Sequence, residues 1–129
     1  MDATLPEVAL YLDREKIRDC IARLARGEDR RDAEIIRACC WPDSTSDYGV
    51  FRGTFDEYLA WVVPGSPAIP VTQHALAQSV IDLKGDAALA ETHVTSYHRI
   101  NMGPAEHDVV IGGRYLDRFE RREIGRAHV

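Results

Sequence analysis

The acid–base chemistry available to this sequence rests on five histidines and a scatter of acids. An imidazole titrates near neutral pH and can take a proton from carbon or oxygen without a metal. His74 sits early in a segment with strand character, on the face it shares with Leu76 and Val80. His93 and His98 are five residues apart on the next segment of that kind. Odd spacing sends them to opposite faces, so only one of the two can line the same pocket as His74. Asp29 follows Gly27 and precedes Arg30-Arg31, and Tyr48 lies in Ser46-Asp47-Tyr48-Gly49. Taken singly, each has a plainer account. Asp29 suits a turn or the cap of a following helix, His74 a hydrogen-bonded core or rim position, and Tyr48 a packing tyrosine.

Other chemistries find less support. No two histidines stand at i, i+4, so metal spacing is poor and no metal is expected. Gly112-Gly113 falls inside a strand pattern, where it permits a bend or bulge rather than cradling a phosphate. Cys20, Cys39 and Cys40 are odd in number and form no CxxC pair, and they read as buried thiols acting as small hydrophobes. A net charge of −5 argues against a nucleic-acid partner. No apolar run approaches the roughly 18 residues of a spanning helix, and no signal pattern opens the chain, so a cytoplasmic location is expected without a membrane partner.

The elements that must position these residues follow from periodicity. The 129 residues suit one domain, 1–129. Residues 1–12 read as a lead-in containing Pro6. From Asp13 the spacing of Ile17, Cys20, Ile21 and Leu24 is helical, with Gly27 as the stop signal. A second helix from near Arg31 turns Ile35, Ile36 and Cys39 inward and ends before Pro42. Trp41 to Gly53 is loop or short strand. Thr54 and Glu57 form a capping box for a third helix presenting Phe55, Tyr58, Leu59 and Val62. After the cluster Pro64, Gly65, Pro67 and Pro70 the period becomes that of strands. These are Val71–Leu83, Ala87–Asn101 and a segment placing Val109, Ile111, Gly113, Tyr115 and Phe119 on one face. Helices followed by hairpin-linked strands give an α+β order, about three helices packed on an antiparallel sheet.

Two stretches carry a family resemblance. Leu12-Asp13-Arg14-Glu15-Lys16-Ile17-Arg18-Asp19-Cys20 with Ala25-Arg26-Gly27-Glu28-Asp29-Arg30-Arg31-Asp32 resembles the opening of the SnoaL-like branch of the nuclear-transport-factor-two-like superfamily. Gly112-Gly113-Arg114-Tyr115-Leu116-Asp117-Arg118-Phe119-Glu120-Arg121-Arg122 resembles its penultimate strand. The resemblance implies a cone-shaped fold, its curved sheet and helices enclosing one pocket, and a homo-oligomer, dimer or trimer. Related sequences also continue into a last strand with a tryptophan. Here the chain ends Ile124-Gly125-Arg126-Ala127-His128-Val129, as a sequencing adapter would encode in one frame, so residues 123–129 read as a non-native tail and His128 carries no catalytic weight.

Within that branch the chain is similar to scytalone dehydratase and hexachlorocyclohexane dehydrochlorinase. Both families have an aspartate in the turn after the first helix, matched by Asp29, and a histidine opening the long sheet, matched by His74. The dehydratase family also has a tyrosine after an aspartate, as at Asp47-Tyr48, and a second histidine where His98 falls. Glu28 departs from a tyrosine that polarises the carbonyl, and Gly113 and Tyr115 depart from substrate-binding serine and asparagine. The resemblance therefore implies His74 and Asp29 as catalytic groups and Tyr48, His98 and Tyr115 as substrate contacts. It implies a lyase or isomerase for a small cyclic or aromatic compound, with no cofactor. The rival reading is a non-catalytic ligand-binding module, or an accessory subunit like the small subunit of ring-hydroxylating dioxygenases.

Overall fold

A computed structural model describes residues 4–122 and the backbone of 127–128. Helix α1, Leu5–Arg30, opens on Thr4, whose side chain accepts from the Glu7 amide at 3.2 Å, and Pro6 occupies the first turn. The expected lead-in up to residue 12 is thus mostly helix. Proline is tolerated where an N–H would be unpaired anyway. The missing period has a cause as well, because Leu5, Val8, Leu10, Tyr11 and Leu12 are all exposed. The buried stripe begins at Ile17 and continues through Cys20, Ile21 and Ala25.

Gly27 does not stop the helix. It is buried inside α1, where an added Cβ would lie 2.8 Å from Ile36 Cγ1 and 3.0 Å from Ile35 Cγ2. Its role is close approach to the second helix. The helix ends at Arg31, a left-handed cap (φ 51°, ψ 47°) whose amide donates to the Glu28 and Gly27 carbonyls. Helix α2, Ala33–Cys39, is capped by Asp32, which accepts from the Glu34 and Ile35 amides, and it buries Ile36 and Cys39. The three cysteines are free and buried.

The loop expected over Trp41–Gly53 contains a small hairpin, β1 (Thr45–Asp47) paired with β2 (Arg52–Thr54). Thr54 then caps helix α3, Phe55–Val62, with both halves of the capping box formed. Three long strands follow: β3 (Val71–Lys84), β4 (Ala87–Met102) and β5 (Ala105–Arg121). With β6 (Ala127–His128) they form an antiparallel sheet in the order β3-β4-β5-β6, and the described hydrogen bonds do not close it into a barrel. The expected tail, 123–129, lies outside the described residues apart from the β6 backbone, which pairs with Glu120 and Arg121.

The helices cover the concave face. Ile17, Ile21, Ile36, Phe55, Tyr58, Ile81, Ala88, Ala90 and Phe119 form one buried cluster. Burying a side chain such as Phe119, 1 % exposed, contributes about 2 kcal/mol by removal from water. A register shift between Leu76 and Ser79 bends β3. Before it Thr72, His74 and Leu76 face inward; after it Ser79, Ile81 and Leu83 do. Val80 is consequently 61 % exposed, and the expectation that it shares a face with His74 is wrong.

Candidate active site

Each wall of the cavity between helices and sheet receives polar groups from an identifiable device. The last turn of α1 supplies Glu28 and Asp29, held near the sheet by the tight α1–α2 contact at Gly27. Asp29 therefore belongs to the helix rather than to a turn after it. Pleating brings Thr72 and His74 inward from β3, His98 from β4, and Tyr115 and Asp117 from β5. Tyr48 follows β1, and Tyr58 projects from α3. All of these but Asp29, which meets it through His74, line a cavity of about 1690 Å³ that is open to solvent.

Asp29 and His74 are locked together. His74 Nδ1 lies 2.6 Å from Asp29 Oδ1, and the His74 backbone amide donates to both carboxylate oxygens at 3.0 and 3.1 Å. Their side chains are 12 % (His74) and 25 % (Asp29) exposed. A carboxylate accepting from Nδ1–H leaves Nε2 as the basic nitrogen. On that side, Nε2 stands 3.5 Å from Glu28 Oε2, while Glu28 Oε1 accepts from the Tyr58 hydroxyl at 2.6 Å.

His98 pairs with Thr72 in the β3–β4 register, its Nδ1 is 2.6 Å from Thr72 Oγ1, and its ring meets that of His74 edge-on at 5.9 Å. His93 is on the opposite face of β4, 3.1 Å from Gln78 Nε2 through its Nδ1. The Tyr48 ring stacks 6.0 Å from Tyr58 and meets Tyr115 edge-on at 6.2 Å. His74, Asp29, Tyr48, His98 and Tyr115 thus converge on one region of the molecule.

Burial dominates the local electrostatics. It pushes the Glu28 carboxyl above the usual carboxylate range, against the lowering effects of the Tyr58 hydrogen bond and of His74. Desolvation, reinforced by Glu28, raises Asp117 from 3.8 to about 6. Tyr48 and Tyr115 are both pushed up, first by burial and then by Glu28, so they stay protonated donors at neutral pH. Burial lowers His98, assisted by His74 and keeping it neutral there. Arg31 is committed to the Pro64 carbonyl at 3.3 Å and to that of Ile69. Among the described residues no cluster of histidine, cysteine and acid groups is arranged to hold a metal ion, and no helix is long and apolar enough to cross a membrane.

Three contributors were not picked out from sequence as site residues. Glu28 continues the inward stripe Ile17, Ile21, Leu24 at i+4, and Asp117 lies between Tyr115 and Phe119 in strand alternation. A carboxylate at a position the pattern turns inward was the available signal in both cases. Tyr58 read as packing, and its hydroxyl partner is 30 residues away.

Helices over one face of an open, curved antiparallel sheet, with a polar-walled cavity between, define the α+β cone fold of nuclear-transport-factor-two-like proteins. The model of the SnoaL-like domain matches residues 10–125, and the chain belongs to that family. Among solved structures it is similar to hexachlorocyclohexane dehydrochlorinase LinA-type3 from Novosphingobium barchaimii (17 % identity, 94 % of this chain and 84 % of that one, TM-score 0.79). It is similar also to a candidate scytalone dehydratase from Novosphingobium aromaticivorans (18 %, 92 % and 79 %, 0.75). A nuclear-transport-factor-two-like protein from Salmonella enterica is a third such neighbour (14 %, 88 % and 83 %, 0.74). No curated protein matches the sequence.

Proposed function

We propose that this protein is a cofactor-independent lyase, of dehydratase or dehydrohalogenase type, or an isomerase using the same proton abstraction, acting on a small cyclic or aromatic compound. The observation that carries the proposal is the 2.6 Å contact between Asp29 Oδ1 and His74 Nδ1 at the wall of the cavity. In this reading Asp29 fixes the tautomer, Nε2 removes a proton next to a leaving group, and the carboxylate stabilises the imidazolium that forms. Tyr48, Tyr115 and neutral His98 hold a carbonyl and meet the charge developing on its oxygen. Structural neighbours that include a dehydrochlorinase and a candidate dehydratase support the class of reaction.

The test is turnover of a panel of hydroxylated and halogenated cyclic ketones by wild type, His74→Ala, Asp29→Asn and the double variant. Loss of the base should cost roughly two or more orders of magnitude. Asp29→Asn should keep the fold yet lose much of the activity, and should add little to His74→Ala because the two act as a unit. Full activity in His74→Ala would refute the mechanism.

The same experiment tests a second reading, in which the open cavity of about 1690 Å³ only holds a ligand. A binding module or accessory subunit would bind cyclic ligands without consuming them, with an affinity that His74→Ala leaves unchanged.

A further inference from the structure

Asp29 and His74 leave a neighbouring group without a task. Glu28 lines the same cavity with a side chain 11 % exposed, and its Oε2 faces His74 Nε2 at 3.5 Å. Both of the other polar edges are taken: Asp29 accepts from Nδ1–H, and Glu28 Oε1 accepts from Tyr58. If His74 is neutral and Glu28 ionised, a carboxylate oxygen and an unprotonated Nε2 lie 3.5 Å apart in a largely buried site. Two carboxylates adjacent in sequence would then flank an uncharged ring. Burying a charge without a compensating partner is strongly unfavourable. One proton placed between Oε2 and Nε2 removes the conflict. Burial raising Glu28 above the ordinary carboxylate range agrees with its holding that proton.

Building on the lyase reading above, we infer that Glu28 is the general acid of the reaction. It protonates a leaving hydroxyl while His74 removes the carbon-bound proton, so the favoured substrate is a β-hydroxy carbonyl compound rather than a halide. The balance is complete with the residues present. The C–H proton goes to His74 Nε2, and the C–H electron pair becomes the new C=C bond. The C–O bond breaks, and its oxygen takes the proton from Glu28 Oε2 and departs as water. Imidazolium and carboxylate remain, and passage of a proton from Nε2 back to Oε2 across the 3.5 Å gap restores the starting state. Hydroxide is a poor leaving group and needs this proton. Chloride departs as a stable anion and gains little from an acid.

The probes are β-hydroxycyclohexanone and β-chlorocyclohexanone, both yielding cyclohexenone, with wild type and Glu28→Gln. The amide keeps the shape and can still accept from Tyr58, but supplies no proton. The expected result is a loss of about 100-fold on the hydroxy ketone and of less than about 3-fold on the chloro ketone. An equal fractional loss on both, or none on either, overturns the acid. A wild-type protein that turns over neither probe refutes instead the lyase reading on which the acid depends. Nitrogen NMR of histidine-labelled protein at neutral pH tests the shared proton without substrate and reports whether the variant is folded. The His74 Nε2 signal should shift in Glu28→Gln toward that of an ordinary unprotonated imidazole nitrogen. Identical His74 signals in the two proteins overturn the shared proton.

Discussion

Asp117 occupies an inward position on β5 opposite Ala90 of β4, and its carboxyl is raised from 3.8 to about 6 by burial and by Glu28. The groups sharing its surroundings are Glu28 from α1, Cys40 after α2, Tyr48 after β1 and Tyr115 on its own strand. None carries a positive charge. A folded-state pKa above the unfolded one means that the folded chain binds more protons across that interval. Asp117 therefore leaves stability intact below about pH 4 and lowers it progressively as the pH rises toward about 6. At about 1.4 kcal/mol per tenfold change in proton affinity, the interval from 3.8 to about 6 corresponds to a cost of about 3 kcal/mol at neutral pH. Water entering through the open mouth screens part of it, so about 1–3 kcal/mol is expected.

Asp117→Asn removes the titration while nearly preserving volume. Urea unfolding of both proteins, at several values from about pH 4 to about pH 7, should give converging stabilities at the acid end. The variant should be more stable by about 1–3 kcal/mol at the neutral end, with unchanged urea dependence. The slope that remains in the variant should keep the same sign, because Glu28 is raised as well. A variant less stable than wild type at neutral pH, or two parallel profiles, would refute the reasoning. The carboxylate would then have an unseen compensating interaction.

Two further substitutions test how the site is positioned. Gly27→Ala should destabilise by about 1–3 kcal/mol in thermal or urea unfolding, because its Cβ would press on Ile35 and Ile36. If Ile35 and Ile36 can instead give way, the change should be neutral or stabilising, as is usual for glycine to alanine inside a helix. Thr54→Ala should cost about 1 kcal/mol through loss of the α3 capping box while leaving the Asp29–His74 contact, read by histidine NMR, undisturbed.

The order of elements was legible because most of it is local. The capping box at Thr54 and Glu57, the hairpin links between the long strands, and the strand alternation each depend on a few neighbouring residues, and the structure shows all of them. Opposite facing of His93 and His98 followed from pleating alone. The failures have a common physical form. The start of α1 was hidden because its first turns bury nothing, and a period is only written where one face meets a core. Gly27 was misread because a glycine that admits another helix and one that ends its own have the same letter. The bend in β3 reversed the facing of every residue after it, and no single residue between Leu76 and Ser79 marks a bulge.

The candidate site was legible in a different way. Asp29 and His74 are 45 residues apart, and nothing in either segment dictates their contact, which came from the family resemblance. That route has a built-in blind spot, since a resemblance points to positions where the chain agrees with its relatives. Glu28 stands where the sequence departs from the dehydratase pattern, and Asp117 stands at a position that pattern does not name. Physical reading could have reached both, since each places a carboxylate where the periodicity turns inward, and such a group is costly unless something uses it. Discarding those positions as breaks in an apolar stripe removes from view the groups most informative about the substrate. On the proposed reading, Glu28 beside His74 would let the cavity both accept a proton and donate one, and a ligand using both would present a C–H and a basic leaving oxygen within one residue's reach.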